Sequence, residues 1–133
     1  MADDTPSPTA PPPTAWPCLS YADPLAAIKF LVDAFGFEER LVVPGEGDRE
    51  VAHAELRWPP GGGVMLGSPN PELGDGIGVV YCVTDAPDAL LAKATAAGAE
   101  VVRGIEDTDY GSRGFTVRDP EGHSWSFGTY RGT

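Results

Sequence analysis

The chain has 133 residues, of which 9 are lysine or arginine and 20 are aspartate or glutamate, so its formal net charge is −11. This length suits one domain with a hydrophobic core. An acidic chain repels phosphate backbones, which excludes nucleic acid as an expected partner and favours cationic ligands in principle.

The N-terminal segment is rich in proline and has no apolar run. It contains Pro6, Pro8 and the run Pro11–Pro13, a composition that buries too little apolar surface to offset the cost of ordering. We therefore predict a disordered or extended tail over residues 1–14 and a single domain over residues 15–133. Without a signal peptide or a membrane span, no membrane contact is expected. Cys18 and Cys82 show no disulfide or CxxC spacing, which indicates a reduced, cytoplasmic protein.

The sequence pattern of residues 15–70 predicts one strand, one helix and three further strands. Asp23 and Pro24 suit the N-cap and first turn of the helix, and Gly36 suits its left-handed C-cap. Alternating apolar residues and intervening turns predict strands near 16–22, 37–45, 50–58 and 63–68.

Residues 75–130 predict the same order of elements. A helix begins around Asp85–Asp88 and ends at Gly98, and strands are expected near 77–83, 99–104, 113–118 and 124–130. Each half is therefore a βαβββ module. The predicted fold class is α+β, in which two such modules form a curved, mixed-sheet cup with the helices outside.

The two modules repeat one sequence pattern. Residues 54–67 match residues 115–128 at a constant offset of 61, and the upstream Asp23 and Gly36 match Asp85 and Gly98 at an offset of 62. A duplicated module forms its site where the copies meet. Equivalent positions therefore indicate which side chains lie in the cup.

The modules also resemble a known family. The two βαβββ units, the closing sequence Asp119-Pro-Glu-Gly-His-Ser-Trp-Ser-Phe127 and the opening Leu19-Ser-Tyr-Ala-Asp-Pro24 resemble the vicinal oxygen chelate superfamily over about residues 15–130. That superfamily includes glyoxalase I, extradiol dioxygenases, fosfomycin-resistance thiol transferases and bleomycin-resistance proteins. The loop at 107–113 is similar to the glyoxalase/bleomycin-resistance branch, several members of which bind aromatic or peptide antibiotics. The resemblance implies a homodimer, either side by side or with modules exchanged between chains.

Metal-using members of the superfamily take ligands from the first and last strands of each module. The resemblance carries those positions to Trp16, Met65, Gly78 and Ser126. None of these residues suits a hard divalent ion, which needs oxygen-rich or imidazole ligands. We therefore expect a metal-independent protein, and no other cofactor is indicated.

Two replacement metal sites remain as alternatives. His53 and Glu55 lie two apart on one strand and face the cup, where they supply two ligands or form a hydrogen-bonded pair. Cys18, Cys82 and Met65 form a soft-metal cluster if both cysteines point inward. The competing interpretation is that the cysteines are small apolar residues.

The expected ligand-binding residues combine aromatic, soft and polar side chains. Each has a competing structural role. Trp16 can cover the cup edge, Met65 can be inert packing, and Tyr110 and Arg113 can belong to a surface turn. The full predicted set is Trp16, His53, Glu55, Met65, Tyr110, Arg113 and Ser126.

Three functional hypotheses follow. The first, implied by the resemblance, is a metal-independent binding protein of the antibiotic-resistance type, which sequesters an aromatic or cationic small molecule in the cup. The second is a glyoxalase-like lyase or isomerase acting on a small oxygenated metabolite, with Glu55 or His53 as general base. The third, an interaction module, depends only on the proline-rich tail.

Overall fold

The computed structural model describes residues 15–69 and 76–132. The predicted tail at 1–14, and the part of the module boundary that falls at 70–75, lie outside these ranges. In the first module, β1 (Cys18–Ser20) leads to α1 (Pro24–Phe30), a π-helical turn (Leu31–Phe35), β2 (Glu38–Pro44), β3 (Val51–Arg57) and β4 (Gly63–Gly67). In the second, β5 (Val79–Val83) leads to α2 (Pro87–Ala96), β6 (Glu100–Asp107), β7 (Arg113–Arg118) and β8 (Ser124–Gly128).

The first helix begins and ends as its capping residues predict. The Asp23 carboxylate accepts the Ala26 N–H at 3.2 Å, and Pro24 occupies the first turn, where a missing N–H costs nothing. Gly36 closes the segment with φ of 88°, a conformation that a side chain disfavours. The last turn is π-helical, and it buries Leu31 and Phe35.

The strands form two four-stranded mixed sheets. Their orders are β1-β4-β3-β2 and β5-β8-β7-β6. In each sheet the module's first strand lies parallel to its last strand, and the remaining neighbours are antiparallel. The α+β fold with two βαβββ modules is thus confirmed. Among the described residues, no ladder of hydrogen bonds joins the two sheets.

One hydrophobic core serves both modules. The ring of Phe35, at the end of the first helical segment, lies 5.2 Å from that of Trp125 and 4.8 Å from that of Phe127, which are both on β8. Phe37 likewise contacts Trp58 at 5.0 Å and Trp125 at 5.5 Å. Large aromatic rings that interlock across the modules bury much apolar surface, so neither module has a complete core alone.

The turn between β7 and β8 fastens the second module to the first strand of the first. Asp119 is 5% exposed; its Oδ2 accepts the Tyr21 hydroxyl at 2.6 Å and the Trp125 indole N–H at 3.0 Å. Its Oδ1 accepts the backbone N–H groups of Glu121 and His123. Burial, with the neighbouring Asp119 charge, raises the pKa of Tyr21, which therefore stays a neutral hydrogen-bond donor.

His123 extends this junction. Its Nδ1 accepts the Gly78 N–H at 2.7 Å, so its Nε2 carries the proton and donates to the Ser20 carbonyl at 3.0 Å. The ring is only 2% exposed and meets Tyr21 edge to face. These contacts give His123 a structural role at the junction of the modules.

A related contact occurs at the equivalent turn of the first module. Trp58 stands where the second module has Asp119, and its indole N–H donates to the Val83 carbonyl at 3.0 Å. Each module therefore places its last turn against the end of the other module's first strand.

The repeat offset of 62 is wrong for the first strands. Leu19 pairs with Leu66 and Cys82 pairs with Phe127, so β1 and β5 are related by an offset of 63. A one-residue change moves every side chain to the opposite face. Val79, rather than Gly78, is therefore equivalent to Trp16, and Cys82 lies buried on the helix-facing side instead of in the cup.

None of the described helices is long and apolar enough to cross a membrane.

The junction predicts a large loss of stability when Asp119 is removed. Asp119→Ala leaves four donors without their acceptor, and we expect it to cost about 3 kcal/mol or more of unfolding free energy in a denaturant titration. Tyr21→Phe should cost about 1–3 kcal/mol, because it removes one hydrogen bond to a buried charge.

The control is Tyr110→Phe, which removes the hydroxyl of a tyrosine that is 69% exposed and should change stability by less than about 0.5 kcal/mol. Equal effects of Tyr21→Phe and Tyr110→Phe would contradict the role assigned to the junction.

Candidate functional site

Each sheet has an open face, opposite the face that packs against the helices. On the first sheet, Cys18 lies beside Met65, and Met65 lies beside Glu55 in the strand register. Their neighbours in sequence, Leu19, Leu66 and Ala54, are buried in the core. Because side chains alternate along a strand, this row of residues faces away from the core, as the sequence predicts for His53, Glu55 and Met65.

His53 and Glu55 form a hydrogen-bonded pair. Nε2 of His53 lies 2.7 Å from Oε2 of Glu55, and both side chains are partly exposed. Their spacing of two residues makes the contact possible, since both project from the same face of β3. The pair fixes the orientation of the imidazole ring.

A cavity of about 390 Å³ lies beside this open face. Its wall includes residues from both modules, because Ile77 and Gly78 precede β5 and meet the first sheet there. The wall is partly soft and apolar and partly polar. Its characteristic side chains are Cys18, Ser20, Arg49, His53, Met65 and Ile77. We call this space the cup cavity.

Arg49 is a residue of the cavity wall that the sequence pattern did not indicate. Its residue is half-buried, and its Nη2 lies at the limiting distance of 3.5 Å from the Ser68 carbonyl oxygen. Its Nε is buried without any hydrogen-bond acceptor among the described residues. In the sequence Arg49 stands between Asp48 and Glu50, a context that suggests local neutralisation rather than a place in a binding site.

The other predicted residues lie on or beside the second sheet. Ser126 faces its open side and exchanges a 2.7 Å hydrogen bond with Thr116. Tyr110 lines a separate cavity of about 80 Å³ with Tyr81 and Tyr130. Sequence reasoning missed these last two tyrosines; alternation along β5, once its register is known, places Tyr81 beside Ser126.

Arg113 is held by acidic neighbours. Its Nε and Nη2 donate to both carboxylate oxygens of Asp88 at 2.8 and 2.9 Å, and its Nη1 donates to Asp107 at 2.6 Å. The Arg113 guanidinium correspondingly lowers the pKa of Asp88. A guanidinium with two carboxylates is already neutralised, which leaves little capacity for an anionic ligand.

Trp16 lies two residues before β1, at the edge of the first sheet. A Cβ at Gly63 would stand 2.7 Å from Cζ3 of Trp16, so the indole ring packs against the start of β4. The ring does not line the cup cavity.

The family resemblance allows a test of metal fit on the corrected positions. They hold an indole at Trp16, a thioether at Met65, an isopropyl group at Val79 and a hydroxyl at Ser126. This donor set does not fit a hard divalent ion. Over residues 15–69 and 76–132, no three His, Cys, Asp or Glu side chains are grouped closely enough to hold a metal ion. The placement of Cys82 also rules out a Cys18–Cys82–Met65 cluster.

Comparisons with known proteins agree with the fold. Residues 14–127 match a family model described as the Glyoxalase/Bleomycin resistance protein/Dioxygenase superfamily. A protein designated Rv0887c from Mycobacterium tuberculosis is 38% identical over 128 residues, which cover 87% of this chain and 74% of that protein.

Solved structures are similar as well. TioX from Micromonospora sp. ML1 superposes with a TM-score of 0.73 at 34% identity, covering 86% of this chain and 97% of TioX. A lactoylglutathione lyase from Agrobacterium tumefaciens gives a TM-score of 0.64 at 22% identity over 88% of this chain and 94% of the lyase, a likeness that shows the fold alone.

The two cysteines should differ in reactivity. Cys18 is exposed on the open face, whereas burial raises the pKa of Cys82 to about 12 and keeps its thiol protonated. We expect an aromatic disulfide reagent to modify one thiol in the native protein at neutral pH and two after unfolding. Cys18→Ser should abolish the native reaction, and two rapid equivalents in the folded protein would contradict the position of Cys82.

Proposed function

Because this chain belongs to the glyoxalase/bleomycin resistance protein/dioxygenase superfamily, we propose that it binds a small aromatic molecule in the cup cavity without a metal ion. The observation that carries the proposal is the wall of this cavity. It offers soft, apolar groups, among them Met65 at one of the positions where metal-using relatives would supply a ligand, and a few polar groups beside them.

The shape and chemistry of the cavity suit a planar ring. Met65 adapts to irregular ligand outlines, and its sulfur contacts aromatic rings favourably. Ile77, which is 61% exposed, provides a second apolar surface from the other module. A volume of about 390 Å³ falls in the range of sites for small organic ligands.

A homodimer belongs to the same proposal. His53, Glu55 and Met65 lie on the open face of the first sheet and Ser126 on that of the second, and several exposed apolar side chains accompany them. Leu41 and Val43 share the open face of the first sheet, and Val79 is 77% exposed on the second. Apolar surface of this kind is typical of ligand or subunit contacts. A second subunit would join one open face to another.

Protection against an aromatic antibiotic is the biological role that we propose for such binding, in the cytoplasm, where free thiols such as Cys18 persist. Sequestration needs affinity and no turnover. The net charge of −11 attracts cations to the protein at long range. The charge of the bound ligand is determined instead by its contacts in the cavity.

A substitution in the cavity wall tests the binding site. Met65→Lys places a charge in the apolar part of the wall and should weaken binding of the neutral probe 1-naphthamide by about tenfold or more, measured by calorimetry. Leu25→Lys is the matched control, because Leu25 is 49% exposed on α1 and lies outside the cavity; it should leave the affinity unchanged.

The same titration in EDTA, and with added Mn²⁺, Ni²⁺, Zn²⁺ or Fe²⁺, tests metal independence. The affinity should not change. Loss of binding in EDTA, or a stoichiometric metal ion in protein purified without a metal-chelating tag, would contradict the proposal.

One observation favours a catalytic alternative. The His53 ring lines the cup cavity and is oriented by the Glu55 carboxylate at 2.7 Å, an arrangement that suits proton abstraction from a small oxygenated substrate. If a panel of α-oxocarbonyl compounds yields turnover, Glu55→Gln should lower kcat by about 100-fold or more while binding persists. Unchanged kinetics in this variant would remove Glu55 from the mechanism.

A further inference from the structure

The Arg49 guanidinium, which forms no ion pair with any described residue, indicates what kind of ligand the cup cavity takes. We propose that Arg49 recognises an anionic oxygen group, so that the ligand is a small aromatic carboxylate rather than a cation. This inference rests on the proposed function, because it assigns a chemical class to the ligand of the same cavity.

Arg49 differs from the other arginines of the described chain. Arg103, Arg113, Arg118 and Arg131 each form an ion pair with an acidic side chain. Arg40 and Arg57 form none with a described residue, but both are exposed to water. Arg49 alone among the described arginines combines partial burial, a place in the cavity wall and the absence of a described ionic partner.

The acidic neighbours of Arg49 do not compensate for this absence. The carboxylate of Glu50 turns to the other side of the chain, where it accepts the Leu25 N–H at 3.5 Å. The remaining acceptor, the Ser68 carbonyl, is a neutral group at the limit of hydrogen-bond distance. Most of the donor capacity of the guanidinium is therefore unused by the described residues.

Hydrogen bonds hold the backbone around Arg49, so the point from which the side chain projects is set before any ligand arrives. The Arg49 N–H donates to the Glu46 carbonyl at 3.1 Å across the turn, and the Gly45 N–H donates to the Glu50 carbonyl at 3.2 Å. Gly45 also lies so close to the Arg49 carbonyl that a Cβ would stand 1.9 Å from it. Beside this turn, the Ser68 hydroxyl accepts the Val51 N–H at 3.0 Å. These hydrogen bonds hold the part of the backbone that forms the Arg49 side of the cup cavity.

A carboxylate on the ligand would supply the hydrogen-bond acceptors that the Arg49 guanidinium lacks among the described residues. Guanidinium groups bind planar oxyanions through paired, charge-assisted hydrogen bonds, and a donor left without an acceptor in a partly buried site is costly. A cation in the same cavity would instead be repelled by Arg49. A ring attached to the carboxylate would find the apolar wall at Met65 and Ile77.

Three probes of the same shape and different charge test the inference by calorimetry. They are 1-naphthoate, neutral 1-naphthamide and 1-naphthylmethylammonium. We expect the wild-type protein to bind the carboxylate about tenfold or more tightly than the amide, and the ammonium compound most weakly.

Arg49→Gln should abolish the preference, so that the carboxylate no longer binds more tightly than the amide. Arg49→Lys should retain part of the preference, because lysine keeps the charge but loses the planar geometry. The Arg49→Lys variant also allows the role of Arg49 to be tested if Arg49→Gln fails to fold. Arg57→Gln is the matched control: it removes the same charge at the end of β3, outside the cavity wall, and should retain the full preference.

The outcomes separate this inference from the proposed function. Equal binding of carboxylate and amide by the wild type, or an unchanged preference in Arg49→Gln, would overturn the role of Arg49 while the aromatic site stands. Failure of all three probes to bind the wild type would overturn both.

Discussion

The buried carboxylate of Asp119 fixes how the two modules meet, and the position of the cup depends on it. Its four hydrogen bonds join Tyr21, which directly follows β1, to Trp125 on β8 and to the backbone of the turn between β7 and β8. A buried charge is tolerated only when its oxygens are satisfied, so this cluster permits few alternative arrangements. His123 continues it to Gly78, beside which the two modules together line the cup cavity.

From this junction the chemistry of the cavity follows. The junction places the segment before β5 against the open face of the first sheet, so that Ile77 stands near Met65 and His53 in one wall. The fold of the superfamily provides the cavity, and the side chains that line the cavity determine which ligand it binds. Here they include a thioether, an oriented imidazole and a guanidinium without an ionic partner among the described residues, the groups from which we propose an aromatic carboxylate as the ligand.

Sequence reasoning predicted the fold well because capping residues, alternation and duplication all act locally. Asp23, Pro24 and Gly36 marked the first helical segment, and the constant offset of 61 identified the last two strands of each module. It failed at β5, where a register error of one residue reverses which side chains face the core. The true offset of 63 between β1 and β5 places Cys82 in the core and exposes Tyr81. It also missed Arg49, because acidic neighbours in sequence suggest neutralisation, whereas only the folded turn shows that the Glu50 carboxylate accepts from the Leu25 N–H and that the Arg49 Nε has no acceptor among the described residues.

The most direct test of this account is to map the binding site by nuclear magnetic resonance, titrating isotopically labelled protein with 1-naphthoate. The account predicts that shifts concentrate on the backbone amides of Cys18, His53 and Met65, and on the side-chain Nε–H signal of Arg49. Shifts concentrated instead around Tyr110, or on the helices that cover the opposite side of the sheets, would contradict it, and so would the absence of any shift at saturating ligand.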